Sequence, residues 1–145
     1  MIKTTASYTV EHSVPSVQTY LYLREACGLS PKTPVAAERG LSNTLFGVQV
    51  FFQGEPVGMG RIMGDGGCFY QVVDIAVLPA HQGHGLGKKI MAAIAGYIEH
   101  EVPESGYVSL LADGQAYQLY QQFGFVLTAP ASVGMALRKS TAGGM

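Results

Sequence analysis

The residues best equipped for chemistry lie in one run, Asp74-Ile75-Ala76-Val77-Leu78-Pro79-Ala80-His81-Gln82-Gly83-His84-Gly85-Leu86-Gly87-Lys88-Lys89. Glycines at 83, 85 and 87 give the backbone access to positive φ and let a ligand approach without meeting a Cβ. They open a helical pattern, whose first N–H groups lack partners within the helix and carry about half a positive charge. A loop of this kind suits phosphate. Lys88 and Lys89 point the same way. Cations in a first helical turn oppose the dipole at ~0.3–1 kcal/mol each, a cost that an anion bound at that end offsets. The alternative is a glycine-rich surface turn with solvated lysines; an apolar strand before it and a strong helix after it favour the phosphate reading.

Two nucleotide loops fail by register. A Walker A loop, Gly-x-x-x-x-Gly-Lys-Ser/Thr, meets Gln82 at its first glycine and Lys89 at its hydroxyl position. A dinucleotide fingerprint starting at Gly83 needs Gly or Ala where Lys88 stands. Net charge over the 145 residues is −1, which gives no broad attraction to nucleic acid or anionic membrane, so an anion must be held locally. Cys27 and Cys68 form no disulfide framework and have neither CxxC nor zinc-ligand spacing; they read as reduced thiols, and no metal is expected. Met1–Thr5 lacks the build of a signal peptide, and no apolar run approaches the about 18 residues of a membrane span. A cytoplasmic protein is the expectation.

The elements that must position the loop can be read from periodicity and breakers. Ser7–Glu11 is a strand and Pro15–Cys27 a helix stopped by Gly28. Pro31 and Pro34 precede a short helix over Val35–Leu41. Leu45–Phe52 and Pro56–Ile62, separated by Gln53-Gly54-Glu55, form a hairpin. Cys68–Leu78 is a long strand closed by Pro79. Gly85–His100 is the clearest helix, with Leu86, Ile90, Ala93, Ile94, Tyr97 and Ile98 at helical spacing. Tyr107–Leu111 is a strand, Gln115–Phe123 a short helix stopped by Gly124, and Phe125–Leu127 and Val133–Leu137 two last strands. The order predicts an α+β fold with a mixed sheet of about six to seven strands and one βαβ crossover past its middle. Ligands of such sheets sit where neighbouring strands part, which here locates Val77–Lys88.

The loop resembles motif A of the GNAT N-acetyltransferases, Gln/Arg-x-x-Gly-x-Gly/Ala, met by Gln82, Gly85 and Gly87. Ile75-Ala76-Val77-Leu78-Pro79 resembles the family's approach strand. Ala116-Tyr117-Gln118-Leu119-Tyr120-Gln121-Gln122-Phe123-Gly124-Phe125 is similar to its Leu-Tyr-x-x-x-Gly-Phe segment. The likeness implies a GNAT-like domain over residues 1–139, a flexible tail over 140–145, and acetyl-CoA as co-substrate. It implies that Ile75, Ala76 and Val77 lend backbone groups to the pantetheine arm, that Gln82, Gly83, His84, Gly85, Leu86, Gly87 and Lys88 hold the pyrophosphate, and that N–H groups near Val77 polarise the thioester carbonyl. Tyr120 matches the family's tyrosine at the leaving thiolate. A phenol near ~10 giving its proton to a thiol near ~8.5 is uphill by about 2 kcal/mol, so Tyr120 reads chiefly as a hydrogen-bond donor, with core packing as its alternative. Tyr117 reads as packing.

The sequence departs from that pattern at two positions. Val108 stands where members acting on protein N-termini carry a glutamate base. Asp113 replaces a frequent asparagine near the cofactor, where it can accept hydrogen bonds or cap the helix. The first candidate base is Asp74, whose alternative is a salt-bridged or strand-edge carboxylate; His81, His84 and water are others. Glu25 and Glu38, in the N-terminal helical region, are candidates for binding a cationic amine, or ordinary surface charges. The leading reading is acetyl transfer to a primary amine of a small molecule. Competing readings are a protein lysine or N-terminal acetyltransferase, a non-catalytic acyl-CoA-binding module, and nucleotide binding through the loop. No nucleic-acid or membrane partner is expected. The chain is a monomer or a homodimer, an apolar C-terminal strand being able to pair across a two-fold.

Overall fold

Ser16 accepts a hydrogen bond from the Thr19 N–H at 3.1 Å and so starts α1 (Val17–Ala26). Thr33 caps α2 (Pro34–Leu41) in the same way, with Pro34 pre-set at its first position. Gly28, at φ 75°, ends α1 in a left-handed turn. Gln53 and Gly54, both at positive φ, make the two-residue turn between β2 (Phe46–Phe52) and β3 (Glu55–Gly64). Asp65 Oδ1 accepts from the N–H groups of Gly67, Cys68 and Phe69 and turns the chain from β3 into β4 (Phe69–Val77).

The computed structural model describes residues 7–139, in which β1 (Tyr8–Glu11) comes first and a 3₁₀ turn (Pro79–His81), α3 (Leu86–Glu101), β5 (Tyr107–Ser109) and α4 (Tyr117–Gln121) follow β4. The expected tail over 140–145 lies outside the described residues. The strands form one mixed sheet in the order β1-β2-β3-β4-β5. The first four are antiparallel; β4 and β5 are parallel, and α3 crosses between them. The fold is α+β with the expected crossover.

Side-chain alternation along β3 divides the core. Leu86, Ile90, Met91 and Ile94 of α3 pack on Val48, Val50, Ile62 and Val72, while Tyr20, Leu23, Ala37 and Leu41 of α1 and α2 pack on Met59 and Ala76. Each fully buried aliphatic contributes about 1.5–3 kcal/mol, which is enough to fix α3 on the sheet. Gly60 makes that seating possible: a Cβ there would lie 2.6 Å from Ile75 Cδ1 and 2.7 Å from Ile90 Cγ2.

Three expectations are corrected. The sheet has five strands among the described residues, not six or seven, because Phe125–Leu127 and Val133–Leu137 pair with nothing. Apolar alternation makes a strand only where an edge accepts its hydrogen bonds. β5 ends at Ser109, not Leu111, its pairing with β4 stopping at Gln71. The α4 helix is one short turn, Tyr117–Gln121, rather than Gln115–Phe123.

Candidate active site

The site begins with a parting of strands. β4 and β5 are hydrogen-bonded only at Phe69–Tyr107, Tyr70–Val108 and Gln71–Ser109. Beyond Gln71, β4 continues without β5, and its edge faces a cleft of about 610 Å³ lined by Val72–Ile75, Leu110, Leu111, Asp113 and Tyr120. A bulge in β4 turns it. Met59 faces Ala76 and Arg61 faces Val73, so Gly60 alone opposes both Asp74 and Ile75. Asp74 carries the bend at φ 63°.

The glycine loop follows at the end of β4. Gly83 and Gly85 sit at φ 84° and 75°, and a Cβ on either would meet no protein atom within 4 Å. Gly85 is the N-cap of α3, and no side chain caps that end. The first backbone bond across it runs from the Lys89 N–H to Gly85 O at 3.2 Å. The N–H groups of Leu86, Gly87 and Lys88 therefore remain open. Gly87 departs from the sequence reading. It is helical, with no positive φ, and its missing Cβ makes room for Leu119 Cδ2, 3.2 Å from where that atom would be. Gln82 braces the loop, its amide donating to Val77 O at 3.1 Å. His84 and both lysines are exposed. His81 Nδ1 lies 2.9 Å from the Tyr8 hydroxyl, and its ring packs on Phe52.

Asp74 lines the cleft and is fully engaged. Its Oδ1 accepts from Arg24 Nη1, and its Oδ2 accepts from Arg61 Nε at 2.7 Å and the Tyr20 hydroxyl at 3.0 Å. Both arginines are 7% exposed, and their guanidinium groups are satisfied further, Arg24 by Ser30 and Arg61 by Gly40 O and Thr44 Oγ1. They stack over the Tyr20 ring at 5.7 and 5.6 Å. Burial, and next the Asp74 charge, push the Tyr20 pKa above its ordinary 10.0. Asp74 is thus in the salt-bridged state that was its alternative in sequence.

Tyr120 reaches the cleft from α4, half-buried, with no hydrogen bond to its hydroxyl among the described residues. Burial, and then the Asp113 charge, raise its pKa above 10.0. Asp113 itself is exposed at the cleft mouth and caps nothing; the Ala116 N–H bonds to its backbone carbonyl. Glu25 and Glu38 are both exposed and neither lines the cleft. The side chains presented there by α1 are Tyr20 and Arg24 instead. Sequence reasoning missed Arg24 and Arg61, although one charge in each of two apolar strand patterns, Arg61 and Asp74, was a usable signal for a buried pair.

A family model described as an acetyltransferase (GNAT) domain matches residues 44–127. The chain is 30% identical over 112 residues to the uncharacterized N-acetyltransferase ycf52-like protein of Prochlorococcus marinus, covering 72% of this chain and 59% of that protein. The chain thus spans less than two thirds of that relative. Among solved structures, it is similar to a protein of unknown function, a probable acetyltransferase, from meticillin-resistant Staphylococcus aureus. That likeness has 46% identity and a TM-score of 0.87, over 92% of this chain and all of the other. A GNAT-family acetyltransferase from Streptococcus pneumoniae shares the fold at 24% identity, TM-score 0.76, over 93% of this chain and 100% of its own.

Proposed function

The chain belongs to the GNAT acetyltransferase family; on that premise we propose that it is an acyltransferase that transfers an acetyl group from acetyl-CoA to the primary amine of a small molecule. One observation carries the reading: β4 runs on past the end of its pairing with β5 along a cleft that Tyr120 also lines, and leads directly into a glycine loop whose helix start no side chain caps. Bound acetyl-CoA supplies an acetyl thioester that a neutral amine can attack. The backbone from Gln82 to Lys88 holds the pyrophosphate, where open N–H groups and the helix dipole converge. The bare edge at Ile75, Ala76 and Val77 holds the pantetheine arm and polarises the carbonyl. Tyr120 donates a hydrogen bond to the leaving sulfur. Its raised pKa suits it to share its proton rather than surrender it. Asp113 accepts hydrogen bonds at the mouth.

Asp74, first candidate for the base, is better suited to positioning. Taking a proton there would weaken two buried ion pairs at once, so the amine proton passes to water. Asp74 instead fixes Arg24 of α1 and Arg61 of β3 as one wall of the cleft. The cleft volume, about 610 Å³, is in the range of small-molecule sites. Val108, lying in a groove away from the cleft, offers no carboxylate to a peptide N-terminus.

The test is thermal melting with acetyl-CoA, CoA, ATP and NAD, followed by thiol release across a panel of amines. A ligand at about 100 times its Kd adds about 2.7 kcal/mol, a shift of several degrees. Stabilisation by acetyl-CoA or CoA and amine-dependent thiol release are the expected results. Stabilisation by ATP or NAD alone would overturn the reading.

A further inference from the structure

The cleft is cationic in a chain that is not. Arg24, Lys32, Arg61 and Arg138 line it against two carboxylates, Asp74 and Asp113, whereas the whole chain carries a net charge of −1. Asp74 joins two arginines and can neutralise only one, so the buried cluster keeps a surplus positive charge. Those are the only ion pairs among the described residues, and Lys32, on the turn after α1, is exposed and unpaired there.

The cluster also keeps donors in hand. A guanidinium carries a pair of N–H bonds on each Nη. Arg24 Nη1 has a single acceptor, Asp74 Oδ1, and Arg61 Nη2 has none among the described residues. No buried side-chain nitrogen or oxygen among those residues lacks a partner, so Arg61 Nη2 must touch solvent. Unmade bonds on a surplus cation are capacity for an anion. Arginine suits carboxylate and phosphate alike, because its planar fork matches their paired oxygens.

These cations lie apart from the pyrophosphate loop, since none of Gln82–Lys88 lines the cleft. The remaining carboxylate, Asp113, stands with Tyr120, close enough for its charge to act on the phenol. On the acetyl-transfer reading, which this inference rests on, the amine arrives at Tyr120. We propose that the acceptor is a small amine that also carries an anionic group, a carboxylate or a phosphate, which Arg24 and Arg61 bind with Lys32 at the rim. An acceptor bearing positive charge alone would meet like charge at that wall. The volume of about 610 Å³ admits both ends of such a molecule.

The test is NMR of the isotope-labelled full chain with CoA bound, so that no acetyl group can be transferred, following the Arg24 and Arg61 Nε–H signals. The probes are matched pairs: amino acids against their carboxamides, and phosphorylated amino alcohols against the free alcohols. In at least one kind of pair, the anionic member should shift both signals and bind about tenfold or more tightly than its neutral partner. The kind of pair identifies the anion. Lys32→Glu, at an exposed position, should weaken that member about fivefold and leave the melting temperature and the Kd for acetyl-CoA unchanged. Equal affinity within every pair overturns the proposal. So does anion binding that moves neither arginine signal, or a Lys32→Glu variant that loses acetyl-CoA as much as the amine. Thiol release with acetyl-CoA then separates the two readings. Release with no amine at all counts against acetyl transfer, and release with both members of every pair alike counts against the anionic acceptor alone.

Discussion

The glycine loop and the Asp74 cluster stand at opposite ends of the same short passage from β4 into α3, and they use their polar groups in opposite ways. In the loop, α3 starts on Gly85 without a side-chain cap, and its first N–H groups find no acceptor among the described residues. In the cluster, three donors meet the two oxygens of one carboxylate, and both arginines find further acceptors. Unmade bonds leave capacity for a ligand, at a cost the protein bears when empty. Completed bonds resist displacement, because a buried charge that loses its partner is costly. The difference separates a binding element from a scaffold more surely than residue type does. By type alone, an aspartate in a cleft looks catalytic and a run of glycines looks like a turn.

The largest expected effect tests the scaffold half of the contrast. Asp74→Ala leaves two guanidinium groups buried without their carboxylate and should lower stability by about 3–5 kcal/mol, read by chemical denaturation. A variant of near wild-type stability, inactive only in turnover, would return Asp74 to the role of base. Next comes Tyr120→Phe. Losing a hydrogen bond to developing thiolate charge should cost about 1.5–3 kcal/mol, or roughly 10- to 150-fold in kcat. The Kd for acetyl-CoA should stay the same, whereas a non-catalytic binder would have no turnover to lose.

The loop half is sharpened by two glycines. Gly85→Ala forces a Cβ into a left-handed residue, at about 1–2 kcal/mol of stability, and points it into open space where phosphate is to lie. Acetyl-CoA affinity should fall about tenfold, roughly 1.4 kcal/mol. Gly87→Ala pushes on Leu119 instead, and should lower the melting temperature with little change in affinity; equal affinity losses at both would erase the distinction. A smaller effect is alkaline. Tyr20 and Tyr120 have folded pKa values raised above 10.0, so the fold prefers their protonated forms. That contribution is whole below pH 10 and is lost as pH climbs through the folded values. Denaturation midpoints should therefore decline above pH 10, less so in Tyr120→Phe. Smallest of all, Glu25→Gln and Glu38→Gln should stay within about 0.5 kcal/mol of wild type in stability and leave KM unchanged, because both side chains sit outside the cleft.

The sequence by itself determined what neighbours along the chain decide. Gln53-Gly54 makes a hairpin because both residues tolerate positive φ, and Gly28 stops α1 for the same reason. The spacing of Leu86, Ile90 and Ile94 makes α3 amphipathic, and Gly85 at its start leaves an anion-binding end. Tertiary structure decided whatever depends on partners distant in sequence. Asp74 meets Arg24 across 50 residues and Arg61 across 13, and nothing local distinguishes that carboxylate from a free base. The missing side chain of Gly87 makes room for Leu119, and Glu25 and Glu38 lie outside the cleft because packing turns Tyr20 and Leu23 of α1 and Ala37 and Leu41 of α2 inward. The alternation at Val133, Met135 and Leu137 gives a strand's pattern without a strand's pairing. Pattern is a property of a segment, but a hydrogen-bonded edge belongs to two, and only the folded molecule settles which edges are open.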